Sequence, residues 1–151
     1  MKASSIAFLA VCFASQAPST SSKSEKATLS GKVVPLASVV GERRLKTDPE
    51  QAAIEVVLKT DDGTIVPLLR DDASRALFLD KRLRDRKTEL VVKRHSGLPF
   101  VQVIVIRVEE NGKLRIPEYY CDICTISVRD PRICPCCQGP MELRMRPEPG
   151  D

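Results

Sequence analysis

Five cysteines lie within seventeen residues near the C-terminus: Cys121, Cys124, Cys134, Cys136 and Cys137. Four of them follow the spacing Cys-x2-Cys-x9-Cys-x2-Cys. Two residues between cysteines let both sulfurs of a tight turn face one ion, and zinc binds four thiolates at about 2.3 Å. Pro135 fixes one φ angle, and Gly139 is expected to permit the chain reversal after the last ligand. The spacing therefore predicts a Zn²⁺ site formed by Cys121, Cys124, Cys134 and Cys137.

The N-terminus has the pattern of a secretory signal peptide over residues 1–14. Lys2 precedes a short apolar run, and small residues follow it. The run is too short for a membrane-spanning helix, which needs about 20 residues. Leu9-Ala10-Val11-Cys12 approaches a lipoprotein box, but Val11 stands where a small residue is expected. We therefore predict export to the periplasm or the extracellular space without a lipid anchor, and the open alternative is a cytoplasmic protein.

Residues 15–26 are almost all polar or small and predict a flexible linker, and residues 147–151 predict a disordered end. Between them, alternating apolar residues predict strands over 28–34, 54–59, 64–69, 89–94, 100–108 and 113–116. Asp61-Asp62-Gly63 and Asn111-Gly112 predict hairpin turns. The most apolar strand, 100–108, is expected to be buried on both faces. Residues 41–51 predict a loop, and Pro67 predicts a sheet edge.

One segment between the third and fourth strands changes to helical periodicity. Asp72 or Ser74 can cap a helix that ends near Asp85 or Arg86, with Ala76, Leu79 and Leu83 inward. This order of elements over 27–117 resembles the OB-fold, a five-stranded Greek-key barrel. The resemblance implies a mainly β protein with one helix between strands 3 and 4.

The tail over 118–146 resembles a zinc ribbon, with the two cysteine pairs as its knuckles. It has few apolar residues of its own and cannot fold by burial alone, so we expect the metal to be structural. Tyr119 and Tyr120 adjoin the first cysteine pair and are expected to cover the site. Three alternatives stay open. They are disulfides, which oxidising compartments favour, Cu(I) bound with help from Met141 and Met145, and thiol redox chemistry involving Cys136.

No catalytic constellation is visible. His95 is the only histidine, and the sequence has neither a nucleophile elbow nor a glycine-rich phosphate loop. A closed four-thiolate zinc site also has no open position for water. We therefore predict no enzymatic activity.

The charge pattern does not identify a nucleic-acid partner. The net charge is only +4, and the hairpin over 54–69 has no aromatic residue to stack a base. The basic residues over 81–87 predict a solvated helix face, and Arg43, Arg44 and Lys46 fall in the first long loop. The sequence thus favours an exported interaction module that binds an unknown protein or envelope component. A cytoplasmic nucleic-acid-binding protein is the alternative, as is an exported copper or thiol-redox protein. The oligomeric state stays open.

Overall fold

The computed structural model of the protein describes residues 24–148. The strands are β1 (Ser24–Pro35), β2 (Val56–Thr60), β3 (Ile65–Pro67), β4 (Lys87–His95), β5 (Val101–Glu110), β6 (Lys113–Cys121), β7 (Ile126–Val128) and β8 (Glu142–Arg146). The helices are α1 (Leu36–Glu42), α2 (Pro49–Ile54) and α3 (Arg75–Leu79), followed by a 3₁₀ turn at Lys81–Leu83. The predicted signal peptide and residues 149–151 lie outside the described residues.

The eight strands form one sheet in the order β3-β2-β1-β4-β5-β6-β7, and β8 also pairs with β6. Every pair of these strands is antiparallel, and the predicted mainly β fold is confirmed. The long strand β1 pairs with both β2 and β4, and its first residues 24–26, assigned to the linker by composition, pair with the end of β4. A single parallel bridge joins Leu68, which follows β3, to Val101 in β5.

The two predicted hairpin turns are present. Asn111 and Gly112 have φ angles of 51° and 78°, as a two-residue type I′ turn requires, and Gly63 has a φ of 84° in the β2–β3 turn. Pro67 lies in β3, at one end of the strand order, where its missing N–H donor costs no ladder bond. The residues at these two turns therefore predicted correctly which strands are neighbours.

The predicted loop over 41–51 is confirmed for residues 43–48 and wrong at both ends, because α1 continues to Glu42 and α2 begins at Pro49. Asp48 caps α2 by accepting a hydrogen bond of 2.9 Å from the Glu50 N–H, and Pro49 occupies the first helical turn. Helix α1 packs Val39 against Val34 and Val57, on the outer face of β1 and β2. Consequently this outer face is covered by the chain itself.

The predicted helix over 72–86 is also wrong in length. It is divided into α3 and the 3₁₀ turn, because the Asp80 side chain accepts from the Arg82 N–H and starts a new turn. Leu77 and Phe78 are buried, whereas Leu79, expected to face inward, is exposed. Strand β5 differs too: Ile104 is 39% exposed and Val105 is half-buried, whereas Val103 and Ile106 are buried, so the strand is not buried on both faces.

The main hydrophobic core lies between α3 and the inner face of the sheet. It includes Leu58, Leu90 and Val108, none of which is accessible to solvent, and it continues to Tyr119 in β6. Leu143 and Met145 of β8 pack against this core from the C-terminal part of the chain. Because β6 passes through the predicted boundary at 117–118 without interruption, the cysteine-rich tail shares the core of the sheet.

Candidate metal centre

The structure brings the sulfur atoms of four predicted ligands together. The Sγ atoms of Cys121, Cys124, Cys134 and Cys137 all lie within 4.8 Å of one another. The Sγ atoms of Cys121 and Cys137 are 3.5 Å apart. Four thiolates arranged tetrahedrally at 2.3 Å from a zinc ion would be separated by about 3.8 Å. The spacing of the four sulfur atoms is therefore close to that around a tetrahedrally coordinated metal ion.

Two turns with the same backbone conformation present these thiols. In the first, the Thr125 N–H donates to the Cys121 carbonyl at 2.8 Å, and in the second the Gln138 N–H donates to the Cys134 carbonyl at 2.9 Å. Thr125 and Gln138, each directly after the second cysteine of its pair, have φ angles of 53° and 59°. The expectation for Gly139 was wrong, because Gln138 makes the left-handed reversal. We call these turns the first and second knuckle.

The second knuckle favours a thiolate. Hydrogen bonds from the backbone N–H groups of Cys137 and then Cys136 lower the pKa of Cys134 to about 6, although burial opposes the shift. Donors directed at a sulfur stabilise its charged form. Cys134 is inaccessible to solvent, so its charge needs a partner inside the cluster.

The first knuckle holds thiols that resist ionisation. The N–H of Cys124 lowers the pKa of Cys121, but burial and the sulfurs of Cys137 and Cys134 outweigh it and the net shift is upward. The pKa of Cys124 is raised most by the side chain of Cys136, next by burial, and then by Cys137. Several negative sulfurs at this spacing require a cation, and a bound metal ion deprotonates its thiols outright. The four cysteines could therefore hold a metal ion.

The fifth cysteine lies at the edge of this cluster. Cys136 is exposed, and its side chain contacts Cys124 without belonging to the group of four. All five cysteines of the described residues are free thiols. The 3.5 Å between Cys121 and Cys137 is also well beyond a disulfide bond of about 2.05 Å. The geometry is therefore that of reduced thiols.

Buried polar contacts join the cysteine cluster to the rest of the sheet. Tyr119 is completely buried, and its hydroxyl donates to Asp80 Oδ2 at 2.7 Å. Asp80 in turn accepts from Arg82 Nε at 3.0 Å. Tyr119 therefore anchors β6 in the core, instead of covering the metal site as expected. Tyr120 has the guanidinium of Arg144 3.8 Å from its ring centre.

His95 and the basic residues over 81–87 make contacts within the fold. His95 Nε2 lies 3.2 Å from Gln102 Oε1, and Gln102 donates to Asp71. In the basic run, Arg84 is buried and donates to the carbonyls of Leu77 and Phe78, which contradicts a fully solvated face. Sequence reasoning missed this role because the carbonyls become available only where α3 ends.

The three helices of the described residues are all too short to cross a bilayer. The exposed cations Arg43, Arg44 and Lys46 lie between α1 and α2.

No family model, curated protein or solved structure matches this chain.

Proposed function

We propose that this protein is a non-enzymatic interaction module whose C-terminal part is held by a structural Zn²⁺ ion. The observation that carries the proposal is the convergence of four thiols from two equivalent knuckles within 4.8 Å. Such a closed set leaves no ligand position for water, so the metal would order the chain and take no part in hydrolysis. Cys121, Cys124, Cys134 and Cys137 are the proposed ligands.

In this proposal, residues 27–117 form an OB-like barrel and residues 118–146 a ribbon-like tail. The order β3-β2-β1-β4-β5 supports the barrel, and so does the parallel bridge between Leu68 and Val101 that brings β3 back to β5. OB-folds bind nucleic acids through the face of their strands 2 and 3. Here α1 packs on that face through Val39, and Lys59 of β2 pairs with Glu42 of α1 at 2.9 Å. A protein or envelope component is therefore the partner we favour over nucleic acid.

Zinc is favoured over Cu(I) by the positions of the methionines. Met141 and Met145, the additional sulfur ligands considered for copper, pack against the main hydrophobic core. Their thioethers therefore contribute to burial instead of joining the thiols. Four thiolates in two preformed knuckles match the ligand number and geometry that structural zinc requires.

The metal assignment is tested by mass spectrometry of the intact native protein with a free-thiol count. We expect one zinc per chain. Replacing Cys124 with serine should abolish stoichiometric zinc, whereas Cys136→Ser, the matched control directly before the proposed ligand Cys137, should retain it. A chain with oxidised cysteines and no zinc would contradict the proposal, as would stoichiometric copper lost in Cys136→Ser.

We also propose that the protein is exported, on the pattern of residues 1–14. N-terminal sequencing of the protein from fractionated cells tests this. We expect a new N-terminus after residue 14 in the exported fraction, and an intact Met1 in the cytosol would contradict it.

A further inference from the structure

Strand β5 has a backbone edge without a partner strand. On one side β5 pairs with β4 over residues 101–108, with a register shift at Ile104. On the other side it pairs with β6 only through residues 108–110, and with Leu68 only at Val101. Within the described chain, residues 102–107 therefore have one neighbouring strand, because β6 separates from β5 to pair with β7 and β8.

The edge has one feature that protects edges, a register shift of the β4–β5 pair that leaves Ile104 without a partner in β4, but it lacks the residues that usually block an edge. Between residues 102 and 107 the sequence is Gln-Val-Ile-Val-Ile-Arg, with high β propensity and neither proline nor lysine. Natural proteins block open edges with such residues, or they cover the edge with another segment. An uncovered edge of this composition indicates a strand that accepts a partner.

A groove of about 490 Å³ lies along this edge, between β5 on one side and β6 and β7 on the other. Its lining is mainly apolar and includes Ile104, Ile106, Ile116, Pro117 and Val128. Ile104 is 39% exposed although Val103 beside it is almost completely buried. We call this space the β5–β7 groove. Its aliphatic lining would be stabilised by burial against a second apolar surface.

The rim of the groove is positively charged. Arg129 and Arg146 line it together with the single acid Glu118. Arg146 lies 3.4 Å from Glu118, which offsets its charge, whereas Arg129 is exposed and forms no ion pair with the described residues. The groove therefore presents one uncompensated cation, which is complementary to a carboxylate on a partner.

We propose that the β5–β7 groove binds an extended acidic peptide, which adds as a strand to the free edge of β5. Backbone hydrogen bonds to residues 102–107 would give affinity, and aliphatic side chains of the peptide would contact Ile104 and Ile106. A peptide carboxylate would pair with Arg129. This inference deepens the proposed function, since β7 follows the first knuckle and forms the far wall of the groove.

The test measures binding of fluorescent peptides to the zinc-loaded protein. The probe is a blocked peptide of alternating valine and glutamate. A valine–lysine peptide tests charge, and a valine–glutamate peptide methylated on its backbone nitrogens tests strand addition. We expect only the unmethylated acidic peptide to bind, with amide chemical-shift changes concentrated over residues 102–107.

Two variants with matched controls locate the site. Ile104→Asp should weaken binding about tenfold, because it removes an aliphatic contact and adds a like charge. Leu45→Asp, which changes an exposed residue between α1 and α2, should not weaken it. Arg129→Gln should weaken binding about threefold, the size of an exposed ion pair, while Arg43→Gln should have no effect. Retained zinc together with an unchanged urea denaturation midpoint in each variant shows that both the cysteine segment and the sheet are intact.

Several results would overturn the inference. Equal binding of the methylated peptide would exclude strand addition, and unchanged binding by Ile104→Asp would place the peptide elsewhere. A concentration-dependent dimer that Ile104→Asp dissociates would mean that a second copy of the chain occupies the edge. If zinc-loaded protein binds none of the peptides, the inference fails while the zinc-ordered module stands. If the peptide binds protein that holds no zinc, the proposed function fails and the groove remains.

Discussion

Residues 24–110 and residues 121–146, the cysteine segment, bury very different amounts of apolar surface. In the first region, strands and α3 enclose aliphatic side chains such as Leu58 and Leu90, neither of which is accessible. In the cysteine segment the buried residues are Cys121, Cys134 and Asp130, while Ile123 and Ile133 are 80% and 66% exposed. The comparison teaches that the first region can fold by burial, whereas the cysteine segment buries too little apolar surface to do so, and the proposed metal ion would supply the missing stability.

The cysteine segment is stabilised by two connections to the sheet. Leu143 and Met145 of β8 lie against the main core, and β6 carries both Tyr119 and the ligand Cys121. These contacts hold one end of the segment, but they do not organise the turns between β7 and β8. A metal ion at the knuckles would supply that order.

Removal of the metal should have the largest effect and should separate the two regions. Structural zinc contributes an apparent ~10–16 kcal/mol in small peptides, so a chelator should unfold residues 121–146 and leave residues 24–110 folded. Hydrogen exchange measured by mass spectrometry would show protection lost over the cysteine segment alone. Equal loss in both regions would show that they form one cooperative unit, and unchanged protection would contradict the metal proposal.

A cavity in the main core should destabilise residues 24–110 and leave the metal site intact, which is the opposite of the effect of metal removal. Leu58 is completely buried, and Leu→Ala changes at such sites typically cost about 2–5 kcal/mol. Leu58→Ala should lower the free energy of unfolding by this amount, measured by urea denaturation of the zinc-loaded protein, and should retain one zinc per chain. The control is Leu45→Ala, which is 58% exposed and should change stability by less than about 0.5 kcal/mol. Loss of zinc in Leu58→Ala would mean that the site needs an intact core.

The sequence predicted the parts of this molecule that depend on local patterns. Alternation located β1 to β6 but neither β7 nor β8, Asn111-Gly112 placed a hairpin, and cysteine spacing selected four thiols that the fold brings together. Prediction from the sequence failed where contacts between residues distant in the chain determine the local structure. Asp80 ends α3 and accepts from Tyr119, which is 39 residues away in the chain, so helical periodicity alone overestimated the helix. Likewise, the exposure of Ile104 depends on two long-range features, the register shift between β4 and β5 and the separation of β6 from β5.

The hydroxyl of Tyr119 tests the connection between the two regions. Tyr119→Phe removes the donor to Asp80 and should cost about 1–3 kcal/mol, since a buried acceptor loses one of its partners. We expect lower protection from hydrogen exchange in both β6 and α3. Tyr120→Phe is the matched control, because that ring contacts Arg144 through its face. Equal effects of the two changes would show that Asp80 does not depend on the hydroxyl.

The same carboxylate should give the sheet an acid-dependent stability. Burial opposes the ionisation of Asp80, but hydrogen bonds from Arg82 and Tyr119 outweigh it and lower its pKa. A lowered folded-state pKa contributes stability that is present above the unfolded pKa near 3.9 and is lost as pH falls through the folded value. The free energy of unfolding of the chelated protein can be measured by urea denaturation from pH 6 to pH 2. Below about pH 4 it should fall less in Asp80→Asn than in the unaltered protein. Identical pH profiles would exclude this carboxylate as the source.

The smallest expected effect distinguishes the two knuckles from each other. Thr125 and Gln138 both adopt left-handed backbone conformations, which cost a residue with a Cβ about 1–2 kcal/mol. Glycine would relieve that strain, but it loses about 0.5–1 kcal/mol through its greater freedom in the unfolded chain. Thr125→Gly should therefore stabilise the cysteine segment by less than about 1 kcal/mol, and by more than Gln138→Gly, because threonine is β-branched. Hydrogen-exchange protection over residues 121–146 measures both changes. A loss of protection in Thr125→Gly alone would mean that the hydrogen bond from its hydroxyl to the Cys124 carbonyl, at 2.8 Å, contributes more than the strain costs.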